Sequence, residues 1–250
     1  MKTIGIVCEG PTDHIVIKSV IDKLTGEENR YYKLQPEETL AGKNGNGWKG
    51  VLKWCRDNWD IRKKLMREIQ PKIDFLVIQM DGDVSRKEKS AHCGCATSVD
   101  CKIRGTVDPL DCDKTLEERA ACPIQLPCLD HGEPISGYIN HLTHLISGGK
   151  AYREDVCIVI PCDSIEAWIV AAFDKVIHAE MIENPWESVI SKKKNYHDIR
   201  VRGSSKNQRT FGDLATAVCE NWSDVTQICE TARNFENDIR RLTAKPLLQE

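Results

Sequence analysis

Long apolar runs are missing from this chain of 250 residues. No stretch reaches the roughly 18 to 20 apolar residues of a membrane span. The N-terminal residues MKTIGIVCEG lack the apolar core and the cleavage site of a signal peptide. The chain also has no GxxxxGKS or GxxxxGKT motif, so nucleotide hydrolysis would require a separate protein. These absences predict a cytoplasmic protein without a membrane partner.

Cysteine is plentiful but unevenly distributed. In a reducing cytosol, thiols serve as small buried hydrophobes or as metal ligands rather than as disulfides. Half of the twelve cysteines lie singly in apolar or helical surroundings, namely Cys8, Cys55, Cys157, Cys162, Cys219 and Cys229. The other half are crowded into one segment, namely Cys93, Cys95, Cys101, Cys112, Cys122 and Cys128.

The segment 85–133, which holds these crowded cysteines, has few apolar residues and cannot bury enough surface to fold alone. A tetrahedral Cys/His site would stabilise it, so we predict one or two structural zinc ions. His92 and His131 are further candidate ligands. The spacing is not that of paired CxxC motifs, and disulfides formed in air or free thiols remain alternatives.

Strand and helix patterns alternate along the rest of the chain. TIGIVC, KIDFLVIQM and DVCIVIP are apolar runs typical of strands buried on both faces, and RYYKLQP indicates a shorter strand. TDHIVIKSVIDKL, GWKGVLKWCRDNWDIRKKLMREI, EPISGYINHLTHLISG and SIEAWIVAAFD show helical spacing. This order predicts an α/β fold with a mostly parallel, Rossmann-like sheet between helices.

Acidic residues follow the three buried strands. Glu9 ends the first, Asp81 and Asp83 follow the second, and Asp163 and Glu166 follow the third. Sites in open parallel sheets form at the carboxyl ends of the strands. Clustered carboxylates repel one another unless a cation neutralises them, and Mg²⁺ or Mn²⁺ suits oxygen ligands. The pattern therefore predicts a metal site for phosphoryl transfer or phosphodiester hydrolysis.

VCEGPTD and the later VIQMDGD resemble the glutamate motif and the Asp-x-Asp motif of the TOPRIM family, which includes nucleases of the overcoming-lysogenization-defect class. PCDSIEAWIVAAF and CETARNFENDIRRL are similar to segments of small stand-alone TOPRIM-like proteins of the RloB type, which are linked to anti-phage defence. The resemblance covers most of the chain except residues 85–133. It implies a nuclease controlled by an ATPase partner of the ABC or SMC type.

The resemblance also implies roles for individual residues. Glu9 would be a metal ligand or a general acid/base, Asp81 and Asp83 would hold the metal, and Glu166 would supply a further acid. Asp163 matches no motif, and either a supporting role at the metal or an N-cap of the helix bearing Glu166 is open. Nucleases of this kind use a lysine near the scissile phosphate, for which Lys194 is the candidate.

A basic strip spans residues 191–209 of this otherwise acidic chain. Its cations suit phosphate contacts, and Tyr196 and His197 are candidates for stacking on an unpaired base. The strip favours nucleic acid over a small phosphate ester, although a solvated loop remains an alternative. Its candidate nucleic-acid-binding residues are Lys192, Lys193, Lys194, Arg200, Arg202, Lys206 and Arg209.

Together, these patterns predict a TOPRIM-like core at 1–84 and 134–190, a cysteine-rich insertion at 85–133, and a C-terminal part at 191–250 with the basic strip and helices. The predicted function is Mg²⁺-dependent cleavage of DNA or RNA. A non-catalytic subunit that docks a partner and a metal-dependent small-molecule phosphatase are the alternatives. The sequence leaves the oligomeric state open.

Overall fold

The computed structural model describes residues 1–36, 47–84, 135–191, 195–201 and 206–244, and for residues 135–138 and 141 it describes the backbone alone. The cysteine-rich insertion and its predicted zinc site lie outside the described residues. So do four members of the basic strip, namely Lys192, Lys193, Lys194 and Arg202.

The described sheet has four strands, all parallel, in the order β2-β1-β3-β4. They are β1 (Thr3–Val7), β2 (Arg30–Gln35), β3 (Phe75–Gln79) and β4 (Val156–Val159). Every residue of β1 and β3 is buried, whereas β2 is partly exposed at its edge of the sheet. The predicted α/β fold with a parallel sheet is confirmed.

Helices connect and cover the strands. They are α1 (Pro11–Thr25), α2 (Gly47–Asn58), α3 (Arg62–Glu68), α4 (Ile135–Ser147), α5 (Glu166–Asp174), α6 (Pro185–Ile190), α7 (Gln208–Glu220), α8 (Trp222–Ile228) and α9 (Glu230–Ala244). A short 3₁₀ turn, Ala179–Met181, lies between α5 and α6. No helix in the described ranges is both long and apolar enough to cross a bilayer.

Alternating side chains divide the core into two layers. Ile4, Ile6 and Val77 pack against α1 and the helices from α5 to α9. Val7 and Ile78, on the opposite face, pack against α2, α3 and α4. Because both faces are covered, the central strands need apolar residues at every position, which explains their unbroken runs.

The helix predicted from 47 to 69 is divided into two, and that part of the prediction was wrong. Asn58 ends α2, and its side-chain amide donates to the Trp54 carbonyl oxygen at 2.8 Å. Asn and Asp side chains compete in this way with helical hydrogen bonds, and Asp60 follows in the break. Arg62 then begins α3 and pairs with Asp155 beside β4 at 3.0 Å.

The strand order creates a switch point between β1 and β3. From β1 the chain passes through α1 to β2 on one side, then returns through α2 and α3 to β3 on the other. The two connections leave in opposite directions, and open parallel sheets form their crevice at such a switch point, here outside the carboxyl ends of β1 and β3. Glu9 and Asp81 lie at this crevice.

Candidate active site at the carboxyl edge of the sheet

Glu9 connects three elements at the crevice. Its Oε1 accepts a hydrogen bond from the Asp81 backbone N–H at 2.8 Å, and its carboxylate also accepts from the Trp48 backbone N–H. The Gly47 N–H donates to the Glu9 carbonyl oxygen at 3.1 Å. Glu9 thus lies at the N-terminus of α2, where the helix dipole favours a negative charge.

Gln79, the last residue of β3, links Glu9 to Asp81. Its buried side chain accepts from the Glu9 N–H at 3.2 Å and donates to Asp81 Oδ1 at 2.8 Å. The available signal in the sequence was a glutamine within an apolar strand. When such a side chain is buried, its amide oxygen and its amide nitrogen both need hydrogen-bond partners.

The Asp-Gly-Asp segment lies directly against the loop after β4. The Gly82 N–H donates to the Pro161 carbonyl oxygen at 3.0 Å, and the Asp83 N–H donates to that of Asp163 at 2.8 Å. A Cβ on Gly82 would lie 2.7 Å from the Pro161 oxygen. The glycine is therefore required by a close backbone approach, which brings Asp81 and Asp83 to the end of β4.

Asp163 does not cap the helix that bears Glu166, so the N-cap interpretation was wrong. The residue preceding α5 is Ile165, and no side chain caps that helix. Asp163 is 1% exposed, has a left-handed backbone with φ 59°, and accepts from the Asn184 N–H at 2.9 Å. This bond holds the start of α6 against the end of β4.

Glu166 is the first residue of α5 and is completely buried. Its Oε1 lies 2.5 Å from Nζ of Lys206 in an ion pair. Its Oε2 has no hydrogen-bond partner among the described residues. A buried carboxylate normally has its lone pairs satisfied, so Glu166 retains the capacity to bind a further group.

Asp13 is a second buried acid near Glu166, and its place in the site was not predicted from the sequence. It lies in the first turn of α1, is 5% exposed, and its carboxylate accepts from the Gly10 N–H. That bond to the residue before the helix explains why an acid is favoured here. Its spacing of four residues from Glu9 in EGPTD was the available signal.

Burial and neighbouring carboxylates raise the pKa values of three of these acids. Burial, followed by the charges of Asp13 and Asp83, raises the pKa of Glu9 to about 8. Burial and the charge of Glu166 raise the pKa of Asp13 to about 7, against an opposing effect of Lys206. Burial and the charge of Glu9 raise the pKa of Asp81 well above its usual range. Such a cluster favours either protons or a cation.

Lys206 responds in the opposite direction. Burial alone would lower its pKa, but the carboxylates of Glu166, Asp81 and Asp13 outweigh burial, and the pKa of Lys206 is raised. Lys206 therefore stays charged. The basic strip has three described cations. Lys206 contacts the acid Glu166, whereas Arg200 and Arg209 are exposed on the surface.

The two rings proposed to stack on a base are already engaged. Tyr196 is fully buried against Phe173 and donates to Asp174 at 3.1 Å. His197 stacks on Phe173 with centroids 5.0 Å apart, and its Nε2 lies 2.6 Å from Asp174. Tyr196 is unavailable to a ligand, and one face of His197 is covered.

The donor set is chemically suited to a hard cation, because it consists of carboxylate oxygens. Its members are close enough to influence one another electrostatically: Asp13 and Asp83 act on Glu9, and Glu166 acts on Asp13. With the side chains as they stand, no three His, Cys, Asp or Glu residues of the described ranges form a group that could hold a metal ion. A cation would therefore bind only after side-chain rearrangement, and the unpaired Glu166 oxygen is the atom left to receive it.

Comparisons with known proteins give no match. No family model, no curated protein and no solved structure matches this chain. The functional conclusion therefore depends on the chemistry of the site.

Proposed function

We propose that this chain is a divalent-metal-dependent phosphodiesterase that cleaves DNA or RNA. The observation that carries the proposal is Glu166, a fully buried carboxylate with one oxygen lacking a hydrogen-bond partner among the described residues. It lies in the same acidic cluster as Glu9, Asp13 and Asp81, whose pKa values are raised by burial and by neighbouring carboxylates. A fold that keeps so costly a group beside a sheet crevice is typical of a functional site.

The residues that would hold Mg²⁺ or Mn²⁺ are Asp81, Asp83 and Glu166, with Glu9 as a ligand or as a general acid/base. When bound, the metal would stabilise negative charge that develops on a phosphate and its leaving oxygen. Asp163 would hold the loop after β4 beside these ligands. Its carboxylate accepts from the Asn184 N–H, and its carbonyl oxygen accepts from the Asp83 N–H.

The chain's other residues would orient the reactants. Gln79 fixes Asp81 by a hydrogen bond, so this carboxylate keeps its direction when the site is loaded. With a pKa raised to about 8, Glu9 can hold and release a proton near neutral pH. The exposed Arg200 and Arg209 would contact nucleic-acid phosphates.

The biological setting is proposed from the TOPRIM resemblance. In it, the chain acts in defence against phage, and an ATPase of the ABC or SMC type keeps the nuclease silent until infection. The cysteine-rich insertion, with a structural zinc, is then the segment that selects the substrate or contacts the partner.

A non-catalytic docking subunit is the second candidate, and one observation favours it. The Glu9 carboxylate is already bonded to the backbone N–H groups of Asp81 and Trp48, as a purely structural acid would be. In this reading the acidic edge contacts a partner and cleaves nothing.

The decisive experiment is a cleavage assay on labelled plasmid, single-stranded DNA and total tRNA with Mg²⁺ or Mn²⁺. Wild type is compared with an Asp81→Asn, Asp83→Asn variant, which keeps the side-chain shapes. The matched control is Asp57→Asn, Asp60→Asn, which removes the same charge from surface ion pairs. Cleavage by wild type and control alone supports the nuclease.

Equal cleavage by all three proteins would disprove the proposed site. If none cleaves nucleic acid, a chromogenic phosphate ester and the ATPase partner are tested next. Turnover of the ester indicates a phosphatase. Partner binding without any turnover indicates the docking subunit.

A further inference from the structure

Lys206 occupies the position that a cation would take beside the buried acids. We propose that Asp13 and Glu166 form a cation subsite that Lys206 fills when no metal is bound, and that a divalent cation enters by displacing the ammonium group. This inference rests on the proposed metal-dependent function and adds to it a built-in competitor.

The contact itself is the first observation. Lys206 Nζ lies 2.5 Å from Glu166 Oε1, and Glu166 is 0% exposed. A buried carboxylate must be neutralised by a proton, a basic side chain or a metal ion. Here the ammonium performs that task.

The neutralisation is incomplete, which is the second observation. Lys206 contacts one carboxylate oxygen, and the other has no hydrogen-bond partner among the described residues. An ammonium is a single charge on a flexible stem, whereas a divalent ion brings two charges and accepts several oxygens at once. The subsite therefore favours a divalent ion over the lysine once the ligands converge.

Lys206 is free to leave without disturbing the fold. Its side chain is 36% exposed, so the ammonium can turn outward into water. The helix that follows is anchored separately, because the Asn207 side chain caps α7 by accepting from the Thr210 N–H at 2.9 Å. Displacement of the ammonium therefore leaves the start of α7 intact.

Asp13 is held in place by its own helix. Its carboxylate accepts hydrogen bonds from the Gly10 N–H and from its own N–H at the start of α1. The same backbone groups remain when the cation changes, so Asp13 stays anchored near Glu166, whose charge acts on it, and Glu166 is the side chain that would move toward the ion.

The exchange would couple two events at one site. The displaced ammonium, released from Glu166, becomes available to a substrate phosphate only after the metal has entered. A metal-free molecule would thus hold its phosphate-binding lysine out of use, and its acids would remain partly neutralised.

The test follows the chemical reactivity of Lys206 in the full chain. The protein is acylated with an amine-reactive ester, with chelator or with excess Mn²⁺, and modified peptides are quantified by mass spectrometry. Mn²⁺ binding is recorded in parallel from the paramagnetic resonance of the free ion. We expect Mn²⁺ to raise the modification of Lys206 about tenfold, because the amine leaves its ion pair with Glu166 and becomes accessible to the reagent.

The exposed Lys23 serves as the internal control, and its modification should not change. Lys206→Met, which keeps the stem without the charge, should bind Mn²⁺ about tenfold more tightly than wild type, whereas Lys23→Met should not. Bound Mn²⁺ with unchanged Lys206 reactivity overturns the displacement while leaving the metal site standing. If Mn²⁺ binds neither wild type nor Lys206→Met, the metal site itself fails, and the proposed function falls with this inference.

Discussion

Two buried glutamates show what separates the sheet edge from the helical layer. Glu180, in the 3₁₀ turn after α5, is 6% exposed, and Glu166, at the sheet edge, is 0% exposed. Glu180 accepts hydrogen bonds from the Glu230 N–H at 2.7 Å, from the Thr231 N–H at 3.0 Å and from the Thr231 hydroxyl. Glu166 has one ion pair and no hydrogen bond within the described part of the chain.

The two glutamates differ in how many of their carboxylate oxygens have hydrogen-bond partners. The carboxylate of Glu180 uses both oxygens to bind the first N–H groups of α9, so its negative charge is a structural cap. Glu166 is buried just as deeply but leaves an oxygen unused, which costs stability without any structural return. A local loss of this kind is what a binding or catalytic site requires.

The largest expected effect is on catalysis. If the chain is the proposed nuclease, Glu166→Gln should reduce its turnover about 100-fold or more, because the substitution removes a charge that the metal or the transition state needs. Glu180→Gln should leave turnover per folded molecule within about twofold, since the residue belongs to the cap. Initial rates with Mg²⁺, corrected for the folded fraction by circular dichroism, measure both. Equal losses in the two variants would mean that Glu166 has no catalytic role beyond the structural role of Glu180.

On stability, the order of the two variants should reverse. In Glu180→Gln the amide nitrogen replaces an accepting oxygen beside a backbone N–H, which should lower the free energy of unfolding by about 2 kcal/mol. Glu166→Gln removes a buried charge, and the exposed part of Lys206 can reach water, so we expect a change within about 1 kcal/mol. Urea denaturation in chelator provides both values. A larger loss for Glu166→Gln would show that its ion pair is structural.

A pair of glycines extends the comparison to the backbone. Gly82→Ala at the sheet edge places a Cβ 2.7 Å from the Pro161 oxygen, and we expect a loss of about 1–3 kcal/mol. Gly212→Ala, within α7, meets nothing within 4 Å and should gain about 0.5–1 kcal/mol from helix propensity. The two urea midpoints should therefore move in opposite directions.

The last effect concerns pH. Folding raises the pKa of Glu9 from 4.5 to about 8 and that of Asp13 from 3.8 to about 7, mainly by burial. The folded state therefore binds protons that the unfolded state releases, and this contribution is lost as pH rises through the folded values. In chelator, the melting temperature should therefore be lower at pH 8.5 than at pH 5.5, by about 5–15 °C.

Asp13→Asn removes one of these two acids and should weaken this dependence, whereas Asp57→Asn, on an exposed face of α2, should not. An identical pH dependence in wild type and Asp13→Asn would mean that Asp13 does not hold its extra proton in the folded state.

The sheet could be predicted from sequence because burial on both faces leaves a local signature in each central strand. The break at Asn58 could not, because a helical period runs through it and the competing bond depends on one side chain. The same limit applied to Gly82. Its neighbours in the sequence suggest a turn, whereas the atoms that exclude a side chain belong to Pro161, at the end of a different strand.

The acids after the strands were predictable because parallel strands bring their carboxyl ends to one edge. Gln79 was missed because its role depends on a hydrogen bond with Glu9, which is distant in the sequence. Asp13 was missed because its role depends on the nearby charge of Glu166, which is also distant in the sequence. The role of Lys206 was missed for a similar reason. In the sequence it is one cation among seven in the basic strip, and only its ion pair with Glu166 distinguishes it.

The close backbone approach at Gly82 also has a consequence for how the Asp-Gly-Asp segment evolves. Backbone atoms of the loop after β4 fill the space that any side chain at position 82 would need, so selection for folding alone preserves the glycine. The flanking acids are preserved only while their chemistry is used. Among diverged relatives, a kept glycine beside altered acids would record shared ancestry, and kept acids would record a retained activity.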